Sequence, residues 1–260
     1  VIADGLESIA RLPSLELVAG EELLQRWLAE GCDVVFEGAQ GVLLDADAGF
    51  HPHTTWSRCT SANALDLLAE LAPAAQPLRL GLLRTHAVRH GPGPLPTETA
   101  ELAPVIGEHN TTGDWQGAVR YGWFDPLLAR YALRVNGGVD LLAVTPLDAP
   151  ARLGRWQVCT GYRPADAFAG TAAVVRQADG AITDLHLPPA LSLEQRQGIT
   201  RALAAVQPVL QPCPPQEGAI LAAIEDALDR PADLVSRGPS AADVSLLRPL
   251  PGGMPGEIRS

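Results

Sequence analysis

Five segments of the 260-residue chain combine glycine, proline and polar side chains in patterns that suit ligand chemistry. The first is Phe36-Glu37-Gly38-Ala39-Gln40-Gly41, in which two glycines bracket a glutamine. The Gln40 amide can both donate to and accept from a ligand, and glycine permits positive φ angles and close backbone approach. An ordinary tight turn would use the same glycines, so this segment alone leaves both interpretations open.

The residues that follow have two features of metal sites. Asp45-x-Asp47-x-Gly49 resembles the start of a calcium loop, but the later oxygen ligands and the closing Glu are missing. His51 and His53 stand two apart, with no Cys or third His at a suitable spacing. Surface or turn-packed histidines are therefore favoured over metal ligands, and we expect no metal site in this chain.

Two further segments suit an anionic ligand. Prolines alternate with glycines over residues 91–96, directly after Arg89 and His90, which predicts a rigid loop that is either functional or purely structural. Residues 108–117 are dense in hydroxyls, amides and glycine, and Arg120 follows them. Backbone N–H groups and hydroxyls in such a loop suit phosphate or carboxylate, with an arginine for a charge-assisted contact.

The last segments follow two predicted strands. Asp148 comes after Thr145-Pro146-Leu147, and Ser236-Arg237-Gly238 come after the second strand. A carboxylate at a strand end can accept two hydrogen bonds from the N–H edge of guanine, and a serine with backbone groups from a neighbouring strand could complete the pocket. A strand-end Asp is equally able to cap a helix.

Helices and strands alternate along the chain in a way that would position these segments. Apolar periodicity, with Asp125-Pro126 as a helix start, predicts a mostly parallel central sheet flanked by helices, plus a small antiparallel segment, in a single α/β domain over residues 1–260. The predicted helices are 15–30, 62–71, 126–135, 192–206 and 217–228, and the predicted strands are 33–36, 78–83, 140–144 and 234–235. Residues 155–160 and 171–176 are predicted as strands of an antiparallel segment, and 207–215 as a proline-rich joint.

Composition excludes several classes of function. All 19 basic residues are arginine, which excludes a Schiff-base lysine or a lysine base within this chain. A net charge of −11 argues against nucleic acid or an anionic membrane as partner, and no apolar run is long enough for a membrane helix. The four cysteines contain no C-x-x-C pair, which favours free thiols in the cytoplasm over a disulfide scaffold or a zinc knuckle.

Taken in order, these segments resemble the adenylosuccinate synthetase family. The matching stretches are FEGAQGVLLDADAGFHPHTT, GPGPLPTE, TTG followed by GWFD, RVNGGVDLLAVTPLD and VSRGP, which span residues 34–239. The resemblance implies a P-loop-GTPase-like ligase fold and a cytoplasmic, homodimeric enzyme of purine biosynthesis. In this family GTP phosphorylates the 6-oxygen of inosine monophosphate (IMP), aspartate displaces that phosphate, and Mg²⁺ lies between the phosphates.

The same resemblance implies a role for each matched residue. Gln40 is implied to be catalytic at the purine 6-position, and no metal ligand is implied among the residues of this chain. The implied IMP-binding residues are Gln40, Leu44 and Thr55; the amino-acid-binding residues are His90, Thr111, Thr112, Gly113 and Arg120; the GTP-binding residues are Asp148, Ser236, Arg237 and Gly238.

The chain departs from the family pattern in three places. The family's GDEGKGK phosphate loop, with its general-base Asp, and a later catalytic His are expected upstream of Val1, which makes this chain the C-terminal portion of a longer protein. The arginine-rich run after TTG is replaced by residues 114–119, with Arg120 behind them, and the guanine-pocket lysine is Pro146. These changes predict weaker recognition of a dicarboxylate. They leave open a paralogue that uses another amine or nucleotide, and a non-catalytic nucleotide-binding relative that has lost the phosphate loop.

Overall fold

The structure, a computed structural model, describes residues 2–13, 18–106, 112–115 and 117–251. The chain divides into one unit of Val1–Ala39 with Ser61–Pro77 and a second unit of Gln40–Thr60 with Leu78–Ser260. No helix in the described part of the chain is both long and apolar enough to cross a membrane.

The first unit is helical in its described residues. Its helices are α1 (Ile2–Ala10), α2 (Gly20–Ala29) and α3 (Ala62–Leu71). Helices α2 and α3 pack together, and each buries one leucine, Leu24 and Leu68. The predicted helices are thereby confirmed at α3 and over the α2 part of 15–30, whereas residues 15–17 lie outside the described residues.

The second unit contains the sheets and four further helices. Its strands are β1 (Leu80–Arg84), β2 (Ala87–His90), β3 (Thr112–Gly113), β4 (Gly117–Gly122), β5 (Leu141–Thr145), β6 (Trp156–Arg163), β7 (Val174–Ala178), β8 (Ala181–His186), β9 (Gln207–Cys213), β10 (Leu234–Ser236) and β11 (Val244–Leu246). Its helices are α4 (Pro126–Val135), α5 (Asp148–Leu153), α6 (Leu193–Ala205) and α7 (Glu217–Leu228).

The central sheet has the order β1-β5-β10-β11. Strands β1, β5 and β10 are parallel, with Leu80 opposite Leu141 and Leu234 opposite Ala143, and β11 is antiparallel at the edge. This arrangement confirms the predicted mostly parallel sheet. It also places the ends of β5 and β10, and the residues that follow them, at the same edge of the sheet.

Two antiparallel sheets complete the unit. One has the order β2-β4-β3 and the other β7-β8-β6-β9. The second sheet confirms the antiparallel segment predicted from 155–160 and 171–176, and it is larger than expected because β8 and β9 belong to it. The buried side chains form two clusters, one around Trp123, Phe124 and Trp156 and the other around Phe50 and Tyr162.

Helix α4 starts as its sequence predicts. Pro126 occupies the first turn, and the Asp125 carboxylate accepts hydrogen bonds from the N–H groups of Leu127 and Leu128. The other carboxylate oxygen accepts the Tyr162 hydroxyl at 2.7 Å. Complete burial nevertheless raises the pKa of Asp125 to about 6, because burial penalises the charged carboxylate more than these hydrogen bonds favour it.

Two predictions of local structure were wrong. Residues 33–36 do not form a strand: Val35 is 88 % exposed, and no described strand pairs with the segment to supply ladder hydrogen bonds. The proline-rich stretch 207–215 is not a joint, because most of it forms β9. Pro208 and Pro212 fit there because β9 is an edge strand and pairs only with β6.

Candidate functional site

The segment from Gln40 to Thr60 is held together by a buried carboxylate. Asp45 is 2 % exposed, and its Oδ1 accepts the N–H groups of Asp47 at 2.8 Å and Ala48 at 2.9 Å. Its Oδ2 accepts the N–H of Cys59 at 2.6 Å, which closes the segment into a loop. Because its oxygens accept backbone N–H groups, the Asp45 carboxylate stabilises the loop and is not arranged to bind a cation. The described residues contain no cluster of His, Cys, Asp or Glu that could hold a metal.

The three predicted IMP residues lie in this closed segment. Gln40 is exposed and has a positive φ of 66°, and Cys59 Sγ donates to its Oε1 at 3.6 Å. This contact leaves the Gln40 –NH₂ group to point elsewhere. The Thr55 N–H donates to the Leu44 carbonyl at 2.8 Å, so two of the predicted residues are bonded to each other. The Thr55 hydroxyl has no hydrogen-bond partner among the described residues.

Four of the five predicted amino-acid-binding residues lie in the sheet β2-β4-β3. His90 ends β2 opposite Val119, and Thr112 and Gly113 form β3 opposite Ala118 and Gly117. Arg120 lies in β4. The fifth residue, Thr111, lies outside the described residues.

The Arg120 guanidinium is occupied by protein contacts. Its Nη1 donates to Glu98 Oε2 at 2.7 Å, its Nε to the Gly91 carbonyl at 3.1 Å and its Nη2 to the Gly93 carbonyl at 2.6 Å. These bonds fasten the proline–glycine loop 91–96 against β4. A ligand carboxylate would have to compete with them for the same donors.

Arg89 joins this loop to the Gln40–Thr60 segment, and sequence reasoning did not single it out as a site residue. It is 6 % exposed; its Nε donates to the Pro92 carbonyl at 2.9 Å and its Nη2 to the His53 carbonyl at 2.7 Å. No carboxylate in the described part of the chain forms an ion pair with it. Burial, and then the nearby charge of Arg120, lower the pKa of Arg89 to about 10.

The two histidines predicted to be surface or turn-packed are half-buried near these contacts. His51 Nε2 lies 2.7 Å from the Ala46 carbonyl, to which it donates in the corresponding tautomer. Burial lowers the pKa of His53, and the positive charges of Arg89 and Arg120 lower it further. Burial and the two nearby arginines therefore favour a neutral His53 ring. The backbone carbonyl of the same residue accepts the hydrogen bond from Arg89.

The predicted GTP residues lie at the ends of the parallel strands. Leu147 N–H donates to the Ser236 carbonyl at 2.9 Å, which brings the residues after β5 and β10 together. Asp148 starts α5, and its Oδ2 lies 3.5 Å from Arg152. Its Oδ1 is buried and has no hydrogen-bond partner in the described chain. This orphan acceptor is the strongest sign of a ligand contact among the four residues.

Ser236, Gly238 and Arg237 are tied into the turn after β10. Ser236 Oγ donates to the Gly238 carbonyl at 2.8 Å. A Cβ on Gly238 would meet the Asp243 carboxylate at 2.6 Å, so a side chain there would displace that carboxylate from its hydrogen bonds with Ser240. Arg237 makes a bidentate ion pair with Glu217 at 2.7 and 2.6 Å, which holds the turn against α7.

Thr85 and His86 join β1 of the central sheet to β2, and the loop 91–96 follows β2. Thr85 N–H donates to the Thr145 carbonyl at 2.9 Å, and its hydroxyl donates to the Pro146 carbonyl at 2.8 Å. Arg89 bonds the segment that contains the predicted IMP residues to the loop that follows His90. The predicted GTP residues form a separate group at the end of the parallel strands.

Comparison with known proteins identifies the family of this chain. A family model described as adenylosuccinate synthetase matches residues 4–245. The chain belongs to the adenylosuccinate synthetase family. Two curated adenylosuccinate synthetases are similar to it: that of Desulforamulus reducens is 40 % identical over 147 residues, and that of Thioalkalivibrio sulfidiphilus is 32 % identical over 236 residues.

Coverage of these relatives is partial. The alignments cover 54 % and 87 % of the chain, but only 33 % and 51 % of the two relatives, so the chain spans about half of their length or less. A solved, fully ligated adenylosuccinate synthetase from Plasmodium falciparum superposes with a TM-score of 0.65 at 20 % identity, covering 89 % of this chain and 54 % of that one. This likeness confirms the α/β fold of an adenylosuccinate synthetase.

Proposed function

We propose that the protein to which this chain belongs is a GTP-dependent ligase that joins an amino acid to a purine nucleoside monophosphate. IMP and aspartate are the substrates that its family implies. The observation that carries the proposal is Arg89, which bonds the His53 carbonyl in the predicted purine segment and the Pro92 carbonyl in the predicted amino-acid loop. A reaction that forms a carbon–nitrogen bond needs the amine and the purine within reach of each other.

In this proposal Gln40 acts at the purine 6-oxygen. Its positive φ turns the residue out of the segment, and the Cys59 thiol occupies its carbonyl oxygen. The –NH₂ group is then available to donate to the oxygen that carries negative charge as the phosphoryl group is transferred. A donor aimed at developing charge stabilises the transition state more than the ground state.

Thr55 and the strand-end residues would hold the two nucleotides. The Thr55 hydroxyl, without a partner among the described residues, is suited to the phosphate of the purine monophosphate. The buried and unpartnered Asp148 Oδ1 is suited to the N–H edge of guanine, and the Ser236–Gly238 turn lies beside it. Pro146 replaces the lysine of the family at this pocket, so the base would be held with less apolar contact.

Magnesium is a further part of the proposal, but its ligands are not assigned. The described residues contain no cluster that could hold a metal, so the chemistry of the donors fits Mg²⁺ only if nucleotide phosphates supply most of its oxygens. When bound there, Mg²⁺ would neutralise phosphate charge. We propose a cytoplasmic homodimer from the family alone, and sedimentation of the purified protein would test its oligomeric state.

A second candidate within this class is a ligase that uses a different amine. The Arg120 guanidinium donates to Glu98, Gly91 and Gly93 and is not available to a carboxylate without breaking those bonds. Turnover with a panel of amino acids and simple amines would separate the two candidates. Aspartate as the best substrate supports the first, and a monocarboxylate or neutral amine as the best substrate supports the second.

The experiment is a kinetic comparison of the intact gene product with its Gln40→Ala variant. Phosphate release from GTP should depend on both a purine monophosphate and an amine, and Gln40→Ala should lower kcat by about 10²–10³-fold. Gln211→Ala, on the exposed side of the edge strand β9, is the matched control and should retain the full rate. An unchanged kcat in Gln40→Ala would remove the role assigned to Gln40.

The non-catalytic alternative has its own test. A GDEGKGK-like sequence in the reading frame upstream of Val1 supports the ligase, whereas a protein without it should bind nucleotide and release no phosphate. Either outcome is read from the gene and from one assay of GTP turnover.

A further inference from the structure

A cavity of about 360 Å³ lies beside residues 47–50. Its walls come from residues 47–50, from Tyr131, Arg134 and Val135 in α4, from His186 at the end of β8 with residues 187–189 and Leu191 after it, and from Arg196 and Ile199 in α6. None of the predicted site residues lines it. Its volume is at the small end of the range of about 300–1,000 Å³ that is usual for ligand pockets.

The floor of the cavity is apolar and well packed. Phe50 and Tyr131 stack with their ring centroids 5.6 Å apart and are almost completely buried, as is Ile199. Leu187 and Leu191 face the same space and are only partly buried. Leu187 and Leu191 would gain from contact with an apolar body of modest size, since burial of their exposed apolar area stabilises a complex by roughly 25 cal/mol per Å².

The rim carries three basic side chains that differ in their partners. Arg134 and His186 both contact the buried Asp184 carboxylate, at 3.0 Å and 2.9 Å, so both already have an acidic partner. Within the part of the chain that the structure describes, the Arg196 guanidinium donates only through Nε, to the Leu191 carbonyl at 3.3 Å. No carboxylate of the described residues forms an ion pair with Arg196, which leaves its two terminal nitrogens available at the cavity.

Other charges near the cavity do not satisfy Arg196. Asp47 is exposed at the rim, and its carboxylate lies 3.8 Å from Arg58, a residue that does not line the cavity. A partly buried guanidinium without an acidic partner, next to an apolar floor, suits a ligand that is anionic at one end and apolar at the other. The ligand must carry one planar anion for the two parallel N–H donors and an apolar body for the floor.

We propose that this cavity is a binding site for a small organic carboxylate with an apolar body, held by Arg196 and packed against the partly buried Leu187, Leu191 and Val135. Inorganic phosphate would satisfy the arginine but leave the floor empty. A neutral aromatic compound would fill the floor but leave the arginine unpaired. The site is separate from the proposed nucleotide and amino-acid groups and does not depend on the proposed function.

Occupancy of the cavity would also act on the loop that forms its wall. The Tyr131 hydroxyl donates to the Ala48 carbonyl, and the Ala48 N–H donates to Asp45 Oδ1. The Gly49 N–H donates to the Asp45 carbonyl at 2.8 Å. Ala48 and Gly49 also line the cavity, so a ligand there would slow the opening of these bonds, and amide exchange at the two residues would report it.

The test is a binding titration of the intact gene product with three probes: phenylacetate, its neutral analogue 2-phenylethanol, and inorganic phosphate. Phenylacetate should bind saturably and slow amide exchange at Ala48 and Gly49, and the other two probes should bind at least tenfold more weakly. Arg196→Gln should weaken phenylacetate binding at least tenfold. Arg201→Gln, exposed on the same helix, is the matched control and should bind phenylacetate as the original chain does.

Three results would overturn the proposal. They are the absence of saturable phenylacetate binding at millimolar concentration, equal binding of 2-phenylethanol, and unchanged binding in Arg196→Gln. Because Arg196→Gln also loses the bond to the Leu191 carbonyl, its urea unfolding is measured alongside. Leu187→Trp provides a second variant that leaves Arg196 intact: it fills the cavity and should abolish binding, and retained binding would contradict the assigned location.

Discussion

Replacement of Asp45 by asparagine tests how the segment with the predicted purine residues is held. The substitution keeps the size of the side chain, so one oxygen can still accept the N–H groups of Asp47 and Ala48. The new –NH₂ group then faces the Cys59 N–H, which donates to Asp45 Oδ2 at 2.6 Å in the original chain. Two donors then meet at a residue that is only 2 % exposed.

The expected cost follows from these contacts. One hydrogen bond to a charged group is lost, worth about 1.5–3 kcal/mol, and a largely buried N–H is left without an acceptor. We expect Asp45→Asn to lower the free energy of unfolding by about 2–4 kcal/mol. Urea unfolding followed by tryptophan fluorescence measures it, with Asp47→Asn as the matched control, since Asp47 is exposed and its ion pair at 3.8 Å is weak. A loss below about 1 kcal/mol in Asp45→Asn, or an equal loss in both variants, would refute the role of Asp45.

Two further predictions concern buried basic groups. Arg89→Met should raise the KM of the intact protein for IMP and for the amine but change the free energy of unfolding little. The two lost hydrogen bonds, at about 1.5–3 kcal/mol each, are largely offset because the variant no longer buries a guanidinium whose pKa is lowered to about 10. Enzyme kinetics and urea unfolding measure the two effects, and a large loss of stability with an unchanged KM would contradict the prediction. His86 is 5 % exposed, its ring nitrogens have no hydrogen-bond partner in the described chain, and burial lowers its pKa to about 3. Since the unfolded state binds a proton near pH 6.5 and the folded state does not, the folded protein should lose about 2 kcal/mol between pH 7 and pH 5 on account of His86. His86→Phe should remove that part of the pH dependence in urea unfolding at the two pH values, and an unchanged dependence would count against the buried, neutral His86.

Local signals in the sequence were sufficient for most elements. Asp125-Pro126 followed by apolar periodicity predicted α4, because an N-cap and a first-turn proline act within one helical turn. The predictions for residues 33–36 and 207–213 were wrong because their structure depends on residues far away along the chain. Whether an apolar or proline-containing stretch becomes a strand depends on a partner strand, and the partner of β9 lies in β6, far away along the chain.

The candidate site was predictable by residue type but not by contact. The family motifs named Gln40, Thr55 and Asp148, yet the bonds by which Arg89 and Asp45 hold the segments in place could not be predicted from the sequence. Arg89 bonds a carbonyl 36 residues earlier in the chain, and such a pairing follows only from how the chain folds back. A single arginine next to a proline–glycine loop was the one feature that pointed to it.

The central claim is that this chain contributes to a ligase that joins an amine to a purine monophosphate at the expense of GTP. Mass spectrometry of a reaction of the intact gene product with GTP, IMP and aspartate tests it most directly. The account predicts one condensed product for each GDP formed, and no product when IMP or aspartate is omitted. Release of phosphate that is independent of both, or no condensed product with any purine monophosphate and amine, would contradict it.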